Sequence, residues 1–178
     1  MGMKKFVLVF LMFSLVFVLF GCLDMETTWT IKEDNSIVIK TILIPEFGYE
    51  DEMNTYFQAF KIGFAPLFKK MVFSKRIVTK DYIDYDVYYL QMKEPITLKE
   101  LQDLDFNISF NGNVFEFEIP KILDSEPYSP DDVVFNLVIE FPKAVDIANS
   151  TLIDGKKVTW KITKQMLYTG TLLKAYLK

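Results

Sequence analysis

Between Phe106 and Ile119, apolar and polar residues alternate on either side of Asn111-Gly112. A period of two is the pattern of a strand with one buried face, and Asn-Gly is the pair favoured in a type I′ turn, which needs positive φ at both central residues. A two-residue loop sets Ile108 opposite Phe115 and Phe106 opposite Phe117, with Asn107, Ser109, Glu116 and Glu118 on the other face. A slip of one residue would carry the apolar set into water, so turn and pattern together commit this stretch to a hairpin against a core.

The same reading extends along the chain. Thr28 to Lys32 alternates around Trp29 and Ile31, turns at Glu33-Asp34-Asn35-Ser36, and returns as the β-branched run Ile37 to Ile44, which Pro45 ends. Lys75 to Asp81 and Tyr85 to Met92 read as a second hairpin, with Tyr82, Tyr85, Tyr88 and Tyr89 around its turn. Val133 to Phe141 sets Phe135, Leu137, Ile139 and Phe141 against Val134, Asn136, Val138 and Glu140, and Asp154-Gly155 turns into Val158 to Ile162. A helical period sets in from Glu50 to Lys70, where Met53, Tyr56, Phe57, Phe60, Phe64, Leu67, Phe68 and Met71 recur every three or four residues. Acidic residues 50–52 open that run and Lys69 and Lys70 close it, as the helix dipole favours, while Gly63 and Pro66 predict a kink. Thr97 with Glu100 has the spacing of a capping box for a short helix. The predicted fold is α+β: a curved antiparallel sheet of about nine strands packed against one long, kinked amphipathic helix, plus one or two short helices.

The N-terminus carries a different kind of signal. Lys4 and Lys5 precede Phe6 to Phe20, fifteen residues interrupted only by Ser14. A spanning helix needs about 20 apolar residues, so this run suits an export signal better than a permanent span. It leads into Leu19-Phe20-Gly21-Cys22, which places the single cysteine of the chain directly after a small residue. That arrangement resembles the lipobox of bacterial lipoproteins. The resemblance implies cleavage between Gly21 and Cys22, lipid attachment at Cys22, and localisation at the extracytoplasmic face of the cell membrane. Residues 1–21 are then a signal peptide and 22–178 one extracytoplasmic domain. Losing both leader lysines moves the net charge from −4 to −6. An acidic chain lacks the basic face that nucleic acid requires, so no nucleic-acid partner is expected.

Several phrases together also suggest a family. The lipobox, a Trp-bearing first strand with a polar turn (Trp29 to Ser36), and Phe141-Pro142 followed by Asn149 to Ile162 with Gly155 and Trp160 resemble the LppM-type bacterial lipoprotein domain. That resemblance implies a surface-anchored α+β domain for which binding of membrane lipids or glycolipids has been proposed. Many members add a C-terminal transmembrane helix. No second apolar run follows Cys22, which leaves the N-terminal lipid as the expected anchor.

Catalytic chemistry finds little support. With no histidine there is no Ser-His-Asp triad, no Cys-His dyad and no histidine-bearing zinc site. The seven glycines never approach a phosphate-loop spacing, and Asp84-Tyr85-Asp86 lacks the glycine and distal glutamate of a calcium loop. No catalytic residue, cofactor or metal is expected, and a hydrolase would need Asp84 and Asp86 to converge with a basic residue. The expected function is a noncatalytic binding module with an apolar pocket for acyl chains, lined by Tyr56, Phe57, Phe60, Phe64 and Phe68 of the helix and by Phe106, Phe115, Phe117, Phe135 and Phe141 of the strands. The same aromatic side chains would equally serve as a solid core. The alternative is a structural or assembly lipoprotein that presents the tyrosine-rich hairpin to another envelope protein.

Overall fold

The computed structural model describes residues 23–45, 69–80, 83–104 and 106–178. A hairpin joins β1 (Leu23–Ile31) to β2 (Ser36–Pro45), in register from Leu23↔Pro45 to Ile31↔Ile37. Its turn closes where Asn35 adopts a φ of 62° and Asp34 accepts the N–H of Ser36 at 2.9 Å. Asparagine tolerates the left-handed region better than most residues, which explains its place there. A second hairpin pairs β3 (Met71–Lys80) with β4 (Ile83–Met92), and β4 ladders onto β2 from Lys40↔Gln91 to Leu43↔Tyr88.

The two-residue β5 (Ile96–Thr97) also pairs with β2 and leads into α1 (Leu98–Gln102). Thr97 accepts the N–H of Glu100 while the Glu100 carboxylate accepts the N–H of Thr97, completing the capping box. Glu100 also pairs with Lys70, which ties α1 to the turn before β3. β8 (Val133–Glu140) runs parallel to β1 and antiparallel to β11 (Lys157–Thr163), whose other neighbour is β10 (Leu152–Asp154). The first sheet therefore has the order β10-β11-β8-β1-β2-β4-β3, with β5 beside β2.

The second sheet has four strands in the order β6-β7-β12-β9, formed by β6 (Ile108–Phe110), β7 (Val114–Ile119), β12 (Thr171–Leu177) and β9 (Val145–Ala148). α2 (Lys164–Thr169) carries the chain from β11 in one sheet to β12 in the other. The crossing ends at Gly170, whose φ is 74° and where an added Cβ would sit 3.3 Å from the Lys121 nitrogen. Both the backbone angle and the close approach call for glycine.

The sheets pack face to face through aromatic rings. Trp29 of β1 meets Phe117 of β7 with centroids 5.2 Å apart, and Phe115 meets Phe141 at 5.3 Å and Trp160 of β11 at 6.4 Å. Ile31, Ile37, Leu137, Ile139, Val158, Ile162, Leu173 and Ala175 fill the remaining space as one continuous core. Interdigitating inner faces with polar residues outside are the physics of a sandwich.

Three expectations are corrected. The single antiparallel sheet of about nine strands on a long helix is replaced by two sheets, with twelve strands among the described residues and one parallel pair, β1 with β8. Strands of two to four residues, such as β5, β6, β9 and β10, are too short to show a period, and sheet membership is decided by contacts far apart in sequence. Among the described residues the helices are α1 and α2, of five and six residues, and no helix is long and apolar enough to cross a membrane. Most of the helix expected over residues 50–70 lies outside the described residues; at its end Lys69 and Lys70 form a turn and Met71 opens β3. Lastly, the hairpin at Asn111-Gly112 pairs Phe110↔Phe115 and Ile108↔Phe117, two residues from the expected register. The Asn111 side chain accepts the N–H groups of Asn113 and Val114 at 3.1 and 2.8 Å, which widens the loop. A slip of two preserves the buried face.

Phe115→Ala, at the centre of the aromatic contact between the sheets, is expected to cost about 3–5 kcal/mol in chemical denaturation. Lys70 and the N–H of Thr97 hold the Glu100 carboxyl below its ordinary value, so its contribution is present above the unfolded value near 4.5 and lost as pH falls through the lower folded value. Glu100→Gln should therefore destabilise by at most about 1 kcal/mol at neutral pH, and the difference from wild type should shrink as pH falls below the unfolded value.

Candidate functional site

The parallel ladder between β1 and β8 begins at Glu26↔Asn136, so Asp24, Met25 and Val133 to Phe135 are not laddered to each other. β8 is also irregular here, since Phe135 pairs with Ile162 and Val133 with Thr163, leaving Val134 as an extra residue turned into the core. A bulge of this kind bends its strand and re-aims side chains. The result is a groove of about 470 Å³ on the first sheet, lined by Asp24, Met25 and Glu26 of β1, Ile42 and Ile44 of β2, Val133 to Asn136 of β8, and Lys161 of β11. That volume falls within the usual scale of small-ligand sites.

Its polar groups form one row. Ile42 pairs with Glu26, Glu26 with Asn136, and Asn136 with Lys161, so an alkyl group, a carboxylate, an amide and an ammonium stand side by side across four neighbouring strands. Directly paired residues share a face. Glu26 and Lys161 are exposed, and Lys161 makes no ion pair among the described residues. Asn136 contributes a fully buried Oδ1 with no hydrogen-bond partner among the described residues. A buried acceptor without a donor costs about 1–3 kcal/mol, so this oxygen is a stabilisation waiting for a donor. Exposed Ile44 and Val133 supply apolar surface at the groove mouth. Chemically, the row offers acceptors for hydroxyl or ammonium groups, one cation for an anion, and alkyl surface beside them.

The residues proposed from the sequence are distributed differently. Gly21, Cys22, Tyr56, Phe57, Phe60, Phe64, Phe68 and Tyr82 lie outside the described residues. Phe115, Phe117 and Phe141 are buried in the core between the sheets, and half-buried Phe106 packs edge-on against Trp29. Phe135 alone of the strand phenylalanines lines the groove. Tyr88 is buried, while half-buried Tyr89 lies under the Arg76 guanidinium, 5.2 Å from its ring centre. Asp86 pairs with Lys75 at 2.5 Å, raising that ammonium above its ordinary value, and Asp84 accepts from Thr79 Oγ1 at 2.6 Å. These groups sit along the β3–β4 ladder, where Tyr89 pairs with Ile42 of the groove lining. Among the described residues no three carboxylates or cysteines converge on a metal position. Of the groove residues sequence reasoning missed, Asn136 left a signal: an amide in mid-strand of an otherwise apolar alternating run.

Comparison with known proteins places the fold. The chain resembles the folded domain of the LppM protein of Mycobacterium tuberculosis, solved by NMR, with a TM-score of 0.50 and 15% sequence identity over 88% of this chain and 90% of that one. It matches no protein-family model and no curated protein. The two proteins share a fold.

Asn136→Leu removes the unpaired acceptor at nearly constant volume. Its stability should equal or exceed that of the wild type by up to about 2 kcal/mol in chemical denaturation, whereas a clear loss would show that the oxygen is already partnered.

Proposed function

We propose that this chain is a noncatalytic, membrane-tethered binding module of the bacterial cell envelope. In this reading Cys22 carries the lipid, the domain lies on the extracytoplasmic face, and the groove between β1 and β8 holds the polar head of an amphiphile. The observation that carries it is the groove lining, where an unpaired buried acceptor at Asn136 stands between Glu26 and Lys161 in a groove that Ile42 and Ile44 also line. Polar groups of both signs beside alkyl surface suit a headgroup joined to its first methylenes better than a wholly apolar chain. The fold shared with the LppM domain and the export signal with its terminal cysteine lend further support.

Recognition divides between two kinds of contact. Asn136 and Glu26 accept from hydroxyl or ammonium groups, Lys161 offers its charge to a phosphate, and Ile42, Ile44 and Val133 shelter the adjoining carbons. Selectivity comes from Asn136, because a ligand lacking a donor leaves its oxygen unsatisfied. Affinity comes from the apolar surface removed from water.

Native mass spectrometry of the gently extracted full chain should reveal a retained lipid that Ile42→Glu loses and Asn136→Leu weakens at least fivefold. Equal lipid retention by all three proteins would mean that the groove does not hold it. For the tether, mass spectrometry of membrane-extracted protein should find an N-terminal, lipid-modified Cys22, and Cys22→Ala should abolish the modification. A chain still starting at Met1 with an unmodified thiol would contradict lipid attachment.

A further inference from the structure

We infer that the end of the first sheet where β1 begins is a bilayer-docking face, with the β3–β4 hairpin as its second point of contact; this rests on the tether proposed above. Three strand ends meet there. Leu23 pairs with Pro45, the last residue of β2, and parallel β8 begins at the same end with Val133. The ladder of β4 onto β2 stops at Leu43↔Tyr88, yet β4 continues to Ile83, five residues farther. At about 3.3 Å per residue the hairpin therefore runs about 16 Å past that ladder, with no strand of the described residues beside β4 except β3.

Both faces of the projecting part carry exposed alkyl groups. Ile77 is 68% exposed, Val78 41% and Ile83 43%. Ile77 and Val78 are consecutive, so one packed layer could cover only one of them. Nearby charged groups are already engaged. Lys75 pairs with Asp86, Arg76 stacks on Tyr89, and Asp84 accepts from Thr79 Oγ1. An exposed alkyl surface beside engaged charges suits an apolar medium rather than a charged partner.

The chain itself says which medium. The apolar run Phe6 to Phe20 ends just before Cys22, and β1 starts at the next residue, so lipidated Cys22 and an uncleaved leader both bring this sheet end to a bilayer. A hairpin reaching past Pro45 on that side meets the same surface. Docking there also turns the mouth of the groove, with Ile44 and Val133, toward the lipid that would supply its ligand.

The test uses the full chain extracted from membranes and reconstituted into phosphatidylcholine vesicles, with and without phosphatidylglycerol. Native Trp29 and Trp160 are buried and give a constant background. Ile77→Trp and Ile83→Trp add a reporter at the hairpin, and Leu152→Trp adds one at an exposed site on the opposite sheet edge. With phosphatidylcholine brominated on its acyl chains, the added emission of Ile77→Trp and Ile83→Trp should fall at least twofold, equally in both lipid mixtures, while that of Leu152→Trp is unchanged. If all variants float with the vesicles but the hairpin reporters are quenched no more than Leu152→Trp, docking is overturned and the tether stands. Hairpin reporters shielded from aqueous acrylamide yet untouched by brominated lipid would place a second protein copy there, which also overturns it. A wild-type chain that does not float overturns tether and docking together.

Discussion

The contact of Trp29 and Trp160 with Phe117, Phe115 and Phe141 holds the two sheets together, and the rest of the molecule depends on it. Neither sheet is stable alone, because each has an inner face of large apolar side chains that only the other can cover. Aromatic pairs at 5–6.5 Å add about 0.5–1.5 kcal/mol each beyond area burial, so this group contributes both cohesion and register. Trp160 gains a further constraint, since its Nε1–H donates to the Asn149 carbonyl at 2.9 Å and fixes the segment leading out of β9. With the inner faces closed in this way, the described strands have their outer face and their ends left for binding.

That division explains where the groove lies. β1 is shared between a long antiparallel hairpin with β2 and a shorter parallel ladder with β8, and the two ladders differ in extent by several residues. The mismatch, together with the extra residue at Val134, opens the sheet at one end and leaves Asn136 with a buried oxygen and no donor among the described residues. An uninterrupted apolar core cannot supply such an acceptor, whereas a strand boundary can. β1 begins at the same end, where the β3–β4 hairpin also projects, so in the proposed reading tether, groove and hairpin tip share one side of the domain.

Much of this could be read from residue order. The turns at Asn35, Gly112 and Gly155 each adopt the positive φ that their residue types favour, and the Thr97 capping box forms as its spacing requires. Local chemistry sets those features, so a local reading finds them. Which sheet a strand joins is a different matter: Phe115 and Trp160 are far apart in sequence, and nothing near either names the other. The shift of two in the Asn111 hairpin arises because a side-chain amide outcompetes the ladder for two N–H groups, and alternation cannot detect an even shift. The strand phenylalanines show the limit most clearly, because pocket wall and core have the same pattern and only the facing sheet decides between them. The groove itself depended on strand neighbours, and just its out-of-place Asn136 was visible beforehand.

The central claim is that the β1–β8 groove holds the head of a membrane amphiphile. Its most direct measurement replaces Ile42 with a photoreactive diazirine amino acid in living cells, irradiates, and weighs the adduct, with Leu152 as the reference position. The account predicts an adduct with the mass of a lipid at position 42 and none at position 152. A protein-sized adduct at position 42, or equal lipid labelling at both positions, would contradict it.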